Sequence, residues 1–177
     1  ITSGGLHGVG ASVVNALSSD LVATVNRDWY EYEQRFARGV PKTKLKVINK
    51  NVRGTGTSIF FRPDVDIFET VAFDADAIRE QLEVKTYLNR SLKIVFKDEG
   101  NGKRYEFQHD GGIAEYLENI VKQDAARPIH GDLFMLAQEE LQDGARVEIT
   151  LQWTEAPHEM LRSYVNGIPT RDGGTHE

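Results

Sequence analysis

The chain has 177 residues, 21 Lys and Arg against 27 Asp and Glu for a formal net charge of −6, and 40% hydrophobic residues. That length holds one or two small domains with apolar material enough for a core, and 27% charged residues with 5 prolines argue against disorder. With no cysteine there is no disulfide scaffold, thiolate nucleophile or cysteine metal site, and no apolar run reaches the roughly 18 residues of a membrane helix.

Residues 1–56 carry 8 basic and 4 acidic residues (+4), while residues 57–177 carry 13 and 23 (−10). An acidic half is a poor DNA-wrapping surface, since phosphate binding relies on Lys and Arg. Lys42, Lys44, Lys46, Lys50 and Arg53 alternate with Leu45, Val47 and Ile48, which reads as the solvated face of a strand. The chain opens at Ile1 without Met, basic n-region or signal segment, so it reads as a piece of a longer protein.

Val9, Val13, Ala16 and Leu17 recur at helical spacing directly after a run of glycines. Leu21 to Arg27 and Trp29 to Phe36 read as two strands, and Gly39-Val40-Pro41 separates them from a third around Leu45–Ile48. Ser58-Ile59-Phe60-Phe61 reads as a short buried strand closed by Pro63 and Asp64. Asp74 to Leu88 is an amphipathic helix with Ile78 and Leu82 on one face and Asp74 or Asp76 as N-cap. Leu92–Lys97 and Arg104–His109 flank Asp98-Glu99-Gly100-Asn101-Gly102, the chemistry of a hairpin turn. Gly111-Gly112 leads into a helix from Ile113 to Lys122 and marks a candidate domain break. Val147–Trp153 alternates as a strand, and Ser163–Val165 reads as one more. Trp29, Trp153, Phe60 and Phe61 are expected in the core.

The segment Gly4-Gly5-Leu6-His7-Gly8-Val9-Gly10 has four glycines within seven residues, followed by a helix. Bare backbone can approach a ligand closely, and free N–H groups at a helix start favour an anion, so the physical reading is a phosphate cradle. No Lys-Ser/Thr follows it, and Gly5-x-x-Gly8-x-Gly10 reverses the dinucleotide spacing. On the residues alone, a glycine turn entering a core helix explains it equally well.

That segment, with Ser12-Val13-Val14-Asn15-Ala16-Leu17-Ser18 behind it, resembles the ATP-lid end and following helix of bacterial type II topoisomerase ATPase subunits, those of gyrase and topoisomerase IV. Thr55-Gly56-Thr57 is similar to the place where that family sets a threonine near the adenine. Asn166-Gly167-Ile168-Pro169-Thr170-Arg171-Asp172-Gly173-Gly174-Thr175-His176 resembles its transducer segment. The motifs occur in family order along the whole chain.

The resemblance implies an α+β chain, with part of a GHKL-type ATPase α/β sandwich over residues 1–110 and part of a β-α-β transducer domain over 111–177. It implies ATP as cofactor, bound by Gly5, Leu6, His7, Gly8, Val9, Gly10 and Thr57. Ile59 would be a nearby wall, and Arg27 would stand at a rim touched by aminocoumarin-type inhibitors; its other reading is an exposed strand-end arginine. Magnesium is implied as well, through an asparagine that with the general-base glutamate and the adenine-binding aspartate is expected before Ile1. The transducer glutamine and lysine are expected after Glu177. No catalytic residue and no metal ligand is therefore assigned within the chain, and residues 1–177 alone are expected to be inactive. The implied parent is a cytoplasmic DNA-supercoiling enzyme that partners DNA, a gyrase A-type cleavage subunit and a second copy of itself, with no membrane. A topoisomerase IV subunit, a non-topoisomerase GHKL clamp ATPase or a non-catalytic module of this fold are the alternatives.

Asp98-Glu99-Gly100-Asn101-Gly102 spells Asp-x-Gly-x-Gly, but it follows the lid segment and sits between two strands, so it is read as a turn and not as an ATP ligand. His109, His130, His158 and His176 lack metal-ligand spacing, and no Ser/His/Asp arrangement marks a nucleophile.

Overall fold

A computed structural model of the protein describes residues 9–138 and 145–170. By its contacts the chain divides into two compact units, Ile1–Ala72 and Phe73–Glu177. The candidate break at Gly111-Gly112 lies inside the second.

The first unit is one antiparallel sheet with a short helix. Helix α1 (Gly10–Ala16) leads into β1 (Ser18–Arg27), β2 (Tyr30–Ala37), β3 (Val40–Pro41), β4 (Lys46–Lys50) and β5 (Gly56–Pro63). The strand order is β3-β2-β1-β5, with β4 also paired to β2. Two tight turns hold non-glycine residues in the left-handed region: Asp28 and Trp29 between β1 and β2 (φ 53° and 69°), and Arg38 before Gly39 between β2 and β3 (φ 51°). Both fit the primed turns whose twist suits a hairpin. Residues opposite one another across antiparallel strands share a side of the sheet. One side therefore carries the rows Tyr32–Val25–Thr57, Gln34–Ala23–Ile59 and Phe36–Leu21–Phe61. The other carries Glu33–Thr24–Ser58 and Arg35–Val22–Phe60 and is the more polar.

The second unit contains α2 (Ala75–Leu88), β6 (Ile94–Asp98), β7 (Lys103–Phe107), α3 (Gly112–Gln123), β8 (Phe134–Gln138), β9 (Val147–Leu151), β10 (Ser163–Val165) and β11 (Ile168–Thr170). Its strands pair as three separate antiparallel hairpins, β6-β7, β8-β9 and β10-β11. Asp74 caps α2, accepting from the N–H groups of Asp76 and Ala77 at 3.0 Å each. In the β6–β7 turn Asp98 Oδ1 accepts from Gly100 N–H at 2.9 Å and Asn101 Oδ1 from Lys103 N–H at 2.8 Å. The carboxylate of Asp98 thus closes its own turn. At the start of α3, Gly112 has φ 65°, and a Cβ there would lie 2.5 Å from Arg90 Nε, so only glycine lets Arg90 pack so close.

Three expectations are corrected. Segment β5 is a strand, but an exposed one: Ile59 is 52% exposed, and Phe60 and Phe61 are exposed on opposite sides. Trp29 (64% exposed) and Trp153 (57%) are not core residues either. The core is also smaller than the composition suggests. Among the described residues the buried apolar side chains are Leu21 in the first unit and Tyr87, Phe107 and Ile120 in the second. The reason is architectural: β1 and β2 are largely half-buried while β4 and β5 are exposed along nearly all their length, and apolar patterning alone does not supply a layer that would cover them. The lysines of β4, by contrast, are exposed as expected.

Candidate nucleotide site

Of the expected site residues, Gly5, Leu6, His7 and Gly8 lie outside the described residues, as does the motif over 172–176. Val9 and Gly10 stand at the start of α1. Val9 is the N-cap residue and offers no side-chain hydrogen bond, and the first turn holds no acidic residue. The first intrahelical bond runs from Val13 N–H to the Val9 carbonyl at 2.9 Å, so the N–H groups of Gly10, Ala11 and Ser12 are not used within the helix. Gly10 is exposed, and a Cβ built on it meets nothing within 4 Å. The surroundings therefore suit an anion electrostatically and leave bare backbone accessible.

Thr57, Ile59 and Arg27 come together on the sheet. Thr57 opposes Val25, Ile59 opposes Ala23, and Arg27 at the end of β1 lies on that same side by alternation. Among the described residues no group takes the exposed Thr57 hydroxyl. Among the described residues Arg27 makes a 3.6 Å surface pair with Asp28, worth little to stability. Sequence reasoning missed two further members of this side, Tyr30 opposite Arg27 and Tyr32 opposite Val25, whose rings sit 6.1 Å apart. The period-two pattern Leu21, Ala23, Val25, Arg27 was the available signal for this face.

Another unforeseen feature supports the platform. Asp64, 1% exposed, accepts from Arg38 Nε, from Arg38 Nη2 at 3.1 Å and from Asp66 N–H at 3.0 Å. Its backbone N–H donates to the Leu17 carbonyl at 3.0 Å. The α1–β1 junction, the β2–β3 turn and the segment after β5 are thereby tied at one residue, the first through its backbone N–H and the other two through its carboxylate.

The DNA gyrase B family profile matches residues 112–177. The DNA gyrase B protein of Bacillus mycoides is 41% identical over 177 residues, covering 99% of this chain and 43% of that protein. The gyrase B protein of Campylobacter jejuni is 42% identical over 175 residues, 99% of this chain and 22% of its own length. Over nearly its whole length the chain is similar to DNA gyrase B proteins. Among solved structures, the 43K ATPase domain of Thermus thermophilus gyrase B in complex with an aminocoumarin superposes with a TM-score of 0.80 at 35% identity, over 95% of this chain and 45% of that one. The topoisomerase IV ATP-binding domain of Francisella tularensis follows the same fold, with a TM-score of 0.74, 30% identity and the same coverages. The chain spans less than half the length of these gyrase B family relatives. Among the described residues no helix is long and apolar enough to cross a membrane, and no group of His, Asp and Glu is arranged to hold a metal ion.

Proposed function

We propose that this chain is the lid-end, adenine-wall and first transducer portion of the ATP-binding subunit of a gyrase-type DNA topoisomerase. The observation that carries this is the β1–β5 register: it sets Thr57, Ile59 and Arg27 on one side of the sheet of a gyrase B-like fold. In this reading the amides of Gly5 to Gly10 hold the ATP phosphates, Thr57 hydrogen-bonds in the adenine pocket, Ile59 packs beside it and Arg27 stands at the rim. Backbone donors aimed at phosphate oxygens supply positioning and charge stabilisation, which phosphoryl transfer chiefly demands of a protein. The functional division runs at residues 110/111, so that α2 serves the ATP-binding part and α3 begins the transducer. Magnesium belongs to the same reaction, and the resemblance assigns its ligand to an asparagine elsewhere in the subunit. The whole subunit would work in the cytoplasm as an ATP-gated dimer, with DNA and a gyrase A-type cleavage subunit.

Two results are expected. Residues 1–177 alone release no phosphate from ATP, because no residue of the chain matches the family's glutamate and asparagine; turnover lost on mutating Gly8 or Gly10 would contradict this. In the full-length subunit, Thr57→Val keeps the strand and removes one hydrogen bond. A bond worth about 0.5–1.5 kcal/mol corresponds to a loss of about 2- to 12-fold in affinity for a non-hydrolysable ATP analogue. Calorimetric titration giving wild-type affinity would remove Thr57 from the site.

A further inference from the structure

Helix α2 and the β10–β11 hairpin are fastened to one another twice across a long stretch of chain. The direct fastening is Lys85 Nζ, which donates to the carbonyl of Gly167, 82 residues away. Gly167 and Asn166 form the left-handed pair of a tight hairpin turn (φ 76° and 50°), so the ammonium grips the most sharply defined point of that hairpin. The second fastening passes through α3. Tyr87 on α2 stacks on His109, with ring centroids 3.7 Å apart, and on Tyr116 of α3 at 4.8 Å. Its hydroxyl accepts from Asn119 Nδ2 at 2.8 Å. His109 Nδ1 hydrogen-bonds Glu115 Oε1 at 2.7 Å, while Glu115 Oε2 accepts from Gly111 N–H at 3.1 Å. Beyond α3, Tyr116 accepts from Arg162 Nη1, whose guanidinium lies 5.4 Å from its ring centroid, and its hydroxyl lies 3.4 Å from that of Tyr164 on β10.

Burial first, and then the contact to Tyr116, push the Tyr164 phenol up to about 12, and burial likewise raises Tyr87. Both phenols stay protonated near neutral pH, so these links do not switch by tyrosine ionisation. Apolar side chains would serve burial as well; directional polar contacts instead hold one orientation.

We propose that this double fastening makes α2 and the β10–β11 hairpin move as one body, and that Lys85 and Tyr116 are positioning residues which pass the nucleotide state into the transducer. The inference rests on the gyrase-type reading and on its 110/111 division, under which both links cross from the ATP-binding part to the transducer. A contiguous network is not by itself evidence of coupling, so the test must read coupling.

The test uses the full-length subunit reconstituted with its DNA-cleaving partner. Wild type is assayed first: without ATP-dependent supercoiling the functional reading fails, independently of the fastening. The Lys85→Met/Tyr116→Phe double variant keeps the aliphatic stem and the stacked ring while removing the Lys85 donor and the Tyr116 hydroxyl that Arg162 and Tyr164 contact. Expected are ATP-analogue affinity and ATPase rate within twofold of wild type, with supercoils introduced per ATP reduced at least tenfold. Unchanged supercoils per ATP, or affinity and ATPase falling in step with supercoiling, would overturn the proposal. If the double variant does not fold, Lys85→Met alone is read the same way, with a threefold loss of supercoils per ATP expected and none overturning it.

Discussion

Asp64→Asn should lower the thermal midpoint of the first unit by roughly 5–10 °C at neutral pH, the scale expected when a buried ionic network is broken in a small unit. The substitution is nearly isosteric and leaves the bond from the backbone N–H to Leu17 in place. It replaces an anion that accepts two bonds from the Arg38 fork with an amide that can oppose only one of those donors with an oxygen. Arg38 occupies the left-handed region at φ 51°, so the same loss weakens the hold on a strained turn, leaving its pair with Asp66 and the bond from its N–H to the Ser18 carbonyl. The pH dependence follows in sign. Hydrogen bonds from Arg38, then from Asp66 N–H, hold the Asp64 carboxyl below the usual carboxylate range against its burial. A depressed value in the folded state contributes stability that is present above the unfolded value of about 4 and is lost as pH falls through the folded one. Calorimetric scans between pH 7 and pH 2 should therefore bring wild type and variant together as acid removes the contribution from wild type alone. Equal midpoints at pH 7, or a difference that does not shrink in acid, would show that the carboxylate is not what ties these segments.

Elements with local chemistry were legible in the sequence. Asp74 before a periodic run announces α2, and Asp98 to Gly102 announces the β6–β7 turn, because in each case the deciding interactions span four residues or fewer. What depended on distant partners was not. Ile59-Phe60-Phe61 has the apolar run of a buried strand, but burial depends on whether another layer covers it, and β5 lies at the end of the sheet path. The short strands β3 and β11 contain Pro41 and Pro169, which argue against a strand locally yet are tolerated in brief edge pairings. Strand β8, Phe134 to Gln138, lacks alternation and so gives no strand signal of its own. The ion pair of Arg38 with Asp64 joins positions 26 apart and leaves no periodic trace. For the site, spacing within β5 puts Thr57 and Ile59 on one side, but only the register with β1 adds Arg27 and the two tyrosines.

Gly10→Ala should separate folding from ligand approach: in the full-length subunit, affinity for a non-hydrolysable ATP analogue falls by about 10- to 150-fold while the thermal midpoint stays within about 2 °C. The folding half of this follows from the local geometry. Gly10 opens α1, has no left-handed φ, and a Cβ there meets nothing within 4 Å, while alanine is the better helix former. Nothing within the described fold therefore requires glycine at this position. The binding half follows from what a phosphate needs. A methyl group on the backbone that presents the first-turn N–H groups holds the anion away from them, and a lost hydrogen bond to a charged group costs about 1.5–3 kcal/mol, which is about 10- to 150-fold. Neither a Val9 side-chain cap nor a first-turn carboxylate is present to occupy those donors instead. A variant that binds as wild type does would place the phosphates away from Gly10. A variant that melts early would mean that glycine is there for the fold, and the two readings of the glycine-rich segment would then be decided for the structural one.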